Sequence, residues 1–227
     1  MERAESLIWH YMLENLDKQL FIILNSANSP FWDTVMYIIS AKLTWIPLYI
    51  AILICFGIRY KKKFIIILLF IILAVTLADQ SSVHLFKNVF QRLRPCHDPS
   101  MEGMIHLVKG ECGGLYGFVS SHASNSFNVA FLSLMFIRKR WYTVSIILWA
   151  IIIGYSRIYL GVHYPGDVIC GSLLGAFIGW GVYKLYESTD KRVLMKSAYF
   201  NPHISDDKNA GTMRQTYSPP KESRNTD

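Results

Sequence analysis

The stretch KKKFIIILLFIILAVTLADQSS, residues 61–82, contains an uncharged apolar run from Phe64 to Leu77, with three lysines before it and Asp79, Gln80, Ser81 and Ser82 after it. Continued through this mixed part to residue 86, it reaches the ~20 residues that cross about 30 Å of hydrocarbon as a helix. Residues 43–58 read as a shorter span, with Trp45 and Tyr49 near one end and room to extend back through Tyr37, Ile38 and Ile39. Residues 121–137, 141–159 and 168–186 complete the set. The chain has 227 residues, 52% hydrophobic and 17% charged, a balance foreign to a soluble domain of this length. The expected fold is all-α, a polytopic transmembrane helix bundle of five clear spans, plus an N-terminal segment that is interfacial or a sixth span.

Basic residues set the expected orientation. Arg59 and Lys61–Lys63 join the first two spans, Arg138, Lys139 and Arg140 join the third and fourth, and Lys184, Lys191 and Arg192 follow the last. Alternation puts all three clusters on one side, which the positive-inside rule makes cytoplasmic. The loop 87–120 and the turn at Gly161 then face outward. The net charge of +7 fits this bias. No basic patch is interleaved with aromatic residues as a nucleic-acid reader would be, so no nucleic acid is expected as a partner. Glu2 and Arg3 are followed by no signal-peptide pattern, and insertion is expected to rely on the spans.

Three regions follow. Residues 1–42 are expected to be an interfacial or re-entrant segment, with Ile8, Met12, Leu16 and Leu20 on one helical face. Spanning by residues 19–42 is disfavoured by Asp33, since a mid-membrane Asp costs about 2.5–3.5 kcal/mol. Residues 43–186 form the membrane-embedded core, and residues 187–227 read as a disordered cytoplasmic tail. Gly171, Gly175 and Gly179 share a helix face and suit close helix packing within the bundle. Cys55 and Cys170 are expected to be buried apolar residues. Cys96 and Cys112 fall in the outward loop and are expected to form a disulfide if that side is oxidising, contributing about 3 kcal/mol in the chain-entropy view. A zinc site on Cys96, His97 and Cys112 is the less favoured alternative.

Outward polar residues gather in three places: Lys87 with Arg94 and Pro95; Ser120, Ser121 and His122; and Ser156, Arg157, His163 and Asp167. The topology sets all three at one membrane face. Lys87, Arg94 and Arg157 are three positive charges suited to a phosphate, with arginine able to hold two oxygens at once. Ser120 and Ser121 stand where a helix begins, so backbone N–H groups and the helix dipole also face an anion. The two histidines supply a nucleophile and a proton donor. Asp167, four residues after His163, is placed to hold its Nδ1 proton. Each group alone has a plainer reading, as a snorkelling cation or a helix cap. Arg92 is left at that reading. His84 and His106 join no cluster, and Asp79, unusual in the outer half of a span, is left unassigned between pairing with a basic residue and hydrating the site.

Lys87 to Arg94-Pro95 fits K-x6-R-P, and Ser156-Arg157 with His163 and Asp167 fits S-R-x5-H-x3-D. Together these resemble the type 2 phosphatidic acid phosphatase family, also called the lipid phosphate phosphatase and vanadium haloperoxidase superfamily, over about residues 30–186. The family's middle motif, P-S-G-H, reads Val119-Ser120-Ser121-His122 here, with proline and glycine both replaced. The resemblance implies a metal-independent lipid phosphatase without a cofactor. It implies His163 as the nucleophile that becomes phosphohistidine, Asp167 as its orienting partner and His122 as the acid. Lys87, Arg94, Ser120, Ser121 and Arg157 are implied as the phosphate cradle. The substrate is expected to be a phosphorylated envelope lipid at the outer face of a bacterial inner membrane. Undecaprenyl diphosphate comes first, then lipid A phosphate, phosphatidylglycerophosphate or phosphatidate. No obligate protein partner is inferred. The alternatives are a vanadate-dependent haloperoxidase, which would need no lipid-facing spans, and a non-catalytic lipid-phosphate binding or transport protein.

Overall fold

The computed structural model describes residues 2–200, with side chains at all of these except 2–4, 6, 7, 10 and 192–200. The chain falls into two compact units, residues 1–184 and 185–227. The first unit carries helices α1 (Glu2–Ser26), α2 (Pro30–Ser40), α3 (Ile46–Tyr60), α4 (Phe64–Gln80), α5 (Asn88–Phe90), α6 (Ser121–Ile137), α7 (Arg140–Tyr159) and the start of α8 (Pro165–Phe200). The helix expected to end near Tyr186 therefore continues to Phe200, so residues 187–200 are helical where disorder was expected. Residues 201–227 of the expected tail lie outside the described residues.

By length and composition, Lys42–Phe90, Arg140–Tyr159 and Pro165–Lys191 are the stretches able to cross a membrane among the described residues. The first is folded into α3 and α4 at the turn Lys61–Lys63. Helix α6 is shorter and more polar. It lies against both α4 and α7 and buries Ser124, Ser126, Asn128 and Ser133 alongside Leu132 and Phe136. Apolar residues such as Ile54, Leu69, Leu148 and Phe177 are exposed on the outer faces, as a lipid surround requires. Cys55 is exposed and Cys170 half-buried, against the expectation that both are buried; a small apolar side chain serves equally on a lipid-facing surface.

The basic clusters meet at one end. Arg59 NH1 donates to Ile137 O at 3.3 Å, Tyr60 OH to Phe136 O at 2.8 Å, and Arg138 NH2 to Tyr183 OH at 2.6 Å. The glycine face of α8 packs on α6. A Cβ on Gly171 would stand 2.5 Å from Ser120 O and one on Gly179 2.7 Å from Asn128 O, while one on Gly175 would run into Ser124 O.

Residues 1–42 form two helices. Ile8, Met12, Leu16 and Leu20 are exposed, whereas Phe21 and Asn25 are buried against the rest of the unit. Asn25 Nδ2 donates to the carbonyls of His106, Ile158 and Tyr159 at 3.0, 3.2 and 2.8 Å, and its Oδ1 accepts from His106 N at 2.8 Å. Ser29 caps α2, whose first position is Pro30. Asp33 is not left alone, since His106 Nε2 lies 2.9 Å and Tyr159 OH 2.8 Å from its Oδ1.

Beyond Gln80 the helix widens into a π-helical turn, Ser81–Lys87, before α5. The loop that follows is held by a backbone bridge between Leu93 and Tyr116 and by a disulfide joining Cys96 to Cys112, whose Cα atoms are 6.0 Å apart. His97 stands beside these sulfurs, and its Nε2 lies 3.3 Å from Gly113 O.

Candidate active site

The three polar clusters come together at the end opposite the basic turns. Lys87 Nζ donates to Ser121 Oγ at 2.8 Å, tying the π-helical turn to the start of α6. Ser82 Oγ lies 2.7 Å from the same Ser121 Oγ. Ser120 N donates to Asp167 O at 2.9 Å, tying α6 to α8. Arg94 NH1 reaches Val162 O at 3.4 Å, tying the loop to the α7–α8 turn. The π-helical turn explains how Ser82 and Lys87 both point at α6. An extra residue per turn rotates the side chains relative to a regular helix, a device common at functional sites.

These residues surround one cavity of ≈820 Å³. Its polar wall carries Lys87, Arg94, Ser121, His122, Arg157 and His163. Its apolar wall, with Ile52, Phe56, Ile71, Val75, Leu132 and Ile153, runs between α3, α4, α6 and α7. Among the expected site residues, Ser120 is not on this wall. Its side chain is fully buried, and its Oγ caps α6 by accepting from Ala123 N at 3.5 Å. A residue at the N-cap turns its hydroxyl back into its own helix, so of the two serines it is Ser121 that faces the cavity.

Asp167 sits behind the cavity and is fully buried. Its Oδ2 lies 3.4 Å from His163 Nδ1 and accepts from Tyr164 N at 3.1 Å. With Nδ1 turned to the carboxylate, Nε2 is the ring nitrogen left for the cavity. Burial, with Arg94, Arg157 and Lys87 nearby, pushes the His163 imidazole well below its ordinary value. It is therefore neutral at physiological pH, as a nitrogen nucleophile must be. Burial also lowers the Arg94 guanidinium. The Nε atoms of both Arg94 and Arg157 are buried without a hydrogen-bond partner among the described residues. A buried guanidinium N–H without a partner is costly, and both arginines also line the cavity, where their charge favours an anion.

Several participants carry no motif signal. Ser40 on α2 accepts a hydrogen bond from Arg157 NH1 and lines the cavity beside Lys42. Asp79, left unassigned by the sequence, lines the cavity and accepts from Asn125 Nδ2 at 3.3 Å. Arg92 donates from NH1 to Asp167 Oδ1 at 2.9 Å and from NH2 to Asp17 Oδ2 at 2.7 Å. The K-x6-R-P spacing marks Arg94 and is silent on Arg92, and Asp17 lies outside the expected core altogether.

A cationic, histidine-bearing pocket opening onto an apolar cavity inside a helical membrane bundle defines a membrane-embedded phosphatase. The chain belongs to the PAP2 superfamily, whose pattern matches residues 63–190. It is 38% identical over 173 residues to the lipid A 4'-phosphatase of Bacteroides thetaiotaomicron, covering 75% of this chain and 77% of that one. It is 38% identical over 197 residues to the lipid A 4'-phosphatase of Porphyromonas gingivalis, covering 85% and 81%. An undecaprenyl-diphosphatase of Sulfolobus acidocaldarius is 28% identical over 165 residues, covering 71% and 74%. Among solved structures, Aquifex aeolicus LpxE superposes with a TM-score of 0.56 at 28% identity, covering 74% of this chain and 95% of that one. The protein is thus a membrane lipid phosphatase of PAP2 type.

Proposed function

We propose that the protein removes a phosphate monoester from a lipid A-type glycolipid, at the outer face of a bacterial inner membrane, through a phosphohistidine on His163. The observation that carries this reading is the convergence of Lys87, Arg94 and Arg157 on the cavity that His122 and His163 line, with both arginine Nε atoms unpaired. His163 Nε2 attacks phosphorus, the bond from phosphorus to the lipid oxygen breaks, and His122 gives that oxygen its proton. Water then attacks the phosphohistidine, His122 takes the water proton, and inorganic phosphate leaves. The three cations and Ser121 stabilise the charge spread over the phosphoryl oxygens in both steps. Asp167 holds His163 in the tautomer that attacks.

Lipid A moves ahead of the undecaprenyl diphosphate that the sequence alone favours, because both relatives at 38% identity carry that name. The outward face follows from the basic turns at the other end of the bundle. One feature favours a diphosphate as second reading: Lys42 lines the same cavity and adds a fourth cation. Purified protein in detergent, given lipid A, undecaprenyl diphosphate, phosphatidylglycerophosphate and phosphatidate in turn, is expected to release phosphate fastest from lipid A. His163→Ala and His122→Ala are expected to abolish release, and acid-quenched turnover of labelled substrate to leave phosphate on His163. Turnover by His163→Ala at the wild-type rate would refute the mechanism, and preference for undecaprenyl diphosphate would refute the substrate.

A further inference from the structure

We propose that Arg92 is a positioning residue for the Asp167–His163 pair, and that Asp17 of the N-terminal helix α1 is its anchor. Arg92 is not among the residues lining the cavity, so it acts through Asp167 rather than on the phosphate. Each oxygen of Asp167 has its own task. Oδ2 meets His163 Nδ1 and Tyr164 N, and Oδ1 receives Arg92 NH1 at 2.9 Å. Without Arg92, one side of a fully buried carboxylate loses its guanidinium partner, and rotation about the Cβ–Cγ bond would carry Oδ2 off His163.

Asp17 divides its oxygens in the same way. Oδ2 receives Arg92 NH2 at 2.7 Å, and Oδ1 accepts from Gly166 N at 2.7 Å, in the first turn of α8. The same carboxylate therefore fixes the guanidinium and the start of the helix that carries Asp167. Gly166 is needed for this approach, since a Cβ there would lie 2.7 Å from Asp17 Oδ2. The Tyr164 ring packs 4.4 Å beneath the Arg92 guanidinium and limits its tilt. Asp167 and Asp17 together outweigh burial and hold the Arg92 charge more firmly than usual. Two parallel N–H groups spanning two carboxylates is an arrangement that the planar fork of arginine makes and the point charge of lysine does not.

The inference rests on the proposed phosphohistidine chemistry, and it is tested with the full-length protein on whichever lipid the wild type hydrolyses. Arg92→Gln is expected to lower kcat roughly 10–100-fold, the scale of misplacing a reacting group by up to about 1 Å. KM and the affinity for vanadate stay near wild type, because Lys87, Arg94 and Arg157 are untouched. Arg92→Lys recovers part of the loss. Asp17→Asn keeps an oxygen for Gly166 N but releases Arg92, so it shows a smaller fall in kcat at unchanged KM. Wild-type kcat in either Arg92→Gln or Asp17→Asn overturns the proposal. So does a fall in vanadate affinity that matches the fall in kcat, which marks a scaffold role. If Arg92→Gln does not fold, Asp17→Asn decides alone. Failure of the underlying mechanism looks different, since His163→Ala would then keep its turnover.

Discussion

Gly117 offers a perturbation that touches the Asp167 carboxylate with a single methyl group. A Cβ at this position would lie 3.0 Å from Asp167 Oδ2, 3.2 Å from Arg94 Cγ and 3.5 Å from Arg94 Cα. Its φ is not in the left-handed region, so alanine fits the backbone and the effect is one of space alone. Relief to ordinary contact requires movement of about 0.4 Å, and overpacking of this kind costs about 1–3 kcal/mol. The Arg94 backbone cannot give way easily, because Arg94 N donates to Leu115 O and Gly117 N donates to Arg92 O. Asp167 therefore absorbs much of the shift, which disturbs the 3.4 Å contact of its Oδ2 with His163 Nδ1. Scaled on the ~100-fold that 1 Å of misplacement can cost, a 0.4 Å shift lowers kcat about sixfold. The assay is steady-state phosphate release in detergent, with Gly114→Ala as the control, because nothing lies within 4 Å of a Cβ there. Equal kcat in Gly117→Ala and Gly114→Ala would refute the assignment of Asp167 as the residue that orients His163.

Asn25→Ala removes four hydrogen bonds from a residue that is 1% exposed. It is expected to destabilise the protein by about 2–4 kcal/mol, read as a lower melting temperature in detergent. Arg94→Lys and Arg157→Lys keep the charge but lose the fork, and each is expected to lower kcat/KM roughly 100–1,000-fold and to weaken vanadate inhibition in parallel. Asp98 accepts from Ser100, Tyr164 and Lys18, which together overcome burial and pull its carboxyl down to about 2. A depressed carboxylate stabilises the fold above the free value near 3.8 and loses that contribution as pH falls towards about 2. Melting temperatures measured between those limits should therefore fall less steeply in Asp98→Asn. The depressed His163 acts at higher pH. The unfolded chain takes up its proton below about 6.5 while the folded chain resists, so stability declines as pH drops through that value, and His163→Gln should flatten this decline.

Much of this was legible because two periodicities leave a clear trace in sequence. Long apolar runs announced α3, α4, α7 and the start of α8, and fixed spacings announced Lys87, Arg94, Arg157, His163 and Asp167. The glycine face of α8 was legible too, since small residues at four-residue spacing have few uses other than close helix approach. What stayed hidden depends on local geometry that no spacing encodes. The π-helical turn Ser81–Lys87 looks like an ordinary polar helix end, yet it aims Ser82 and Lys87 at one hydroxyl. Ser120 and Ser121 are chemically identical, and only the position of the N-cap separates the capping residue from the cavity residue. The polar tail beyond Tyr186 suggested disorder, but nothing in residues 187–200 breaks a helix, and α8 runs on.

The N-terminal region, set apart by its composition as an interfacial segment, changes most in meaning. It lies outside the matched residues 63–190, yet it supplies Asp17 to the Arg92–Asp167 chain and Ser40 to Arg157. It also brings Lys42 to the cavity. The Asp17 and Ser40 contacts go to Arg92 and Arg157, and both come from polar side chains on helices that also expose apolar residues such as Ile8, Trp9, Leu16, Phe31 and Trp32. A helix that exposes apolar residues on one side and delivers a carboxylate to a half-buried arginine on the other reads, in one dimension, as weakly amphipathic. Its weak pattern follows from this double duty. Lys87, Arg94, Ser121, His122, Arg157 and His163 on the cavity wall all lie within the matched residues, whereas Asp17, Ser40 and Lys42, which bear on them or stand beside them, come from outside the match.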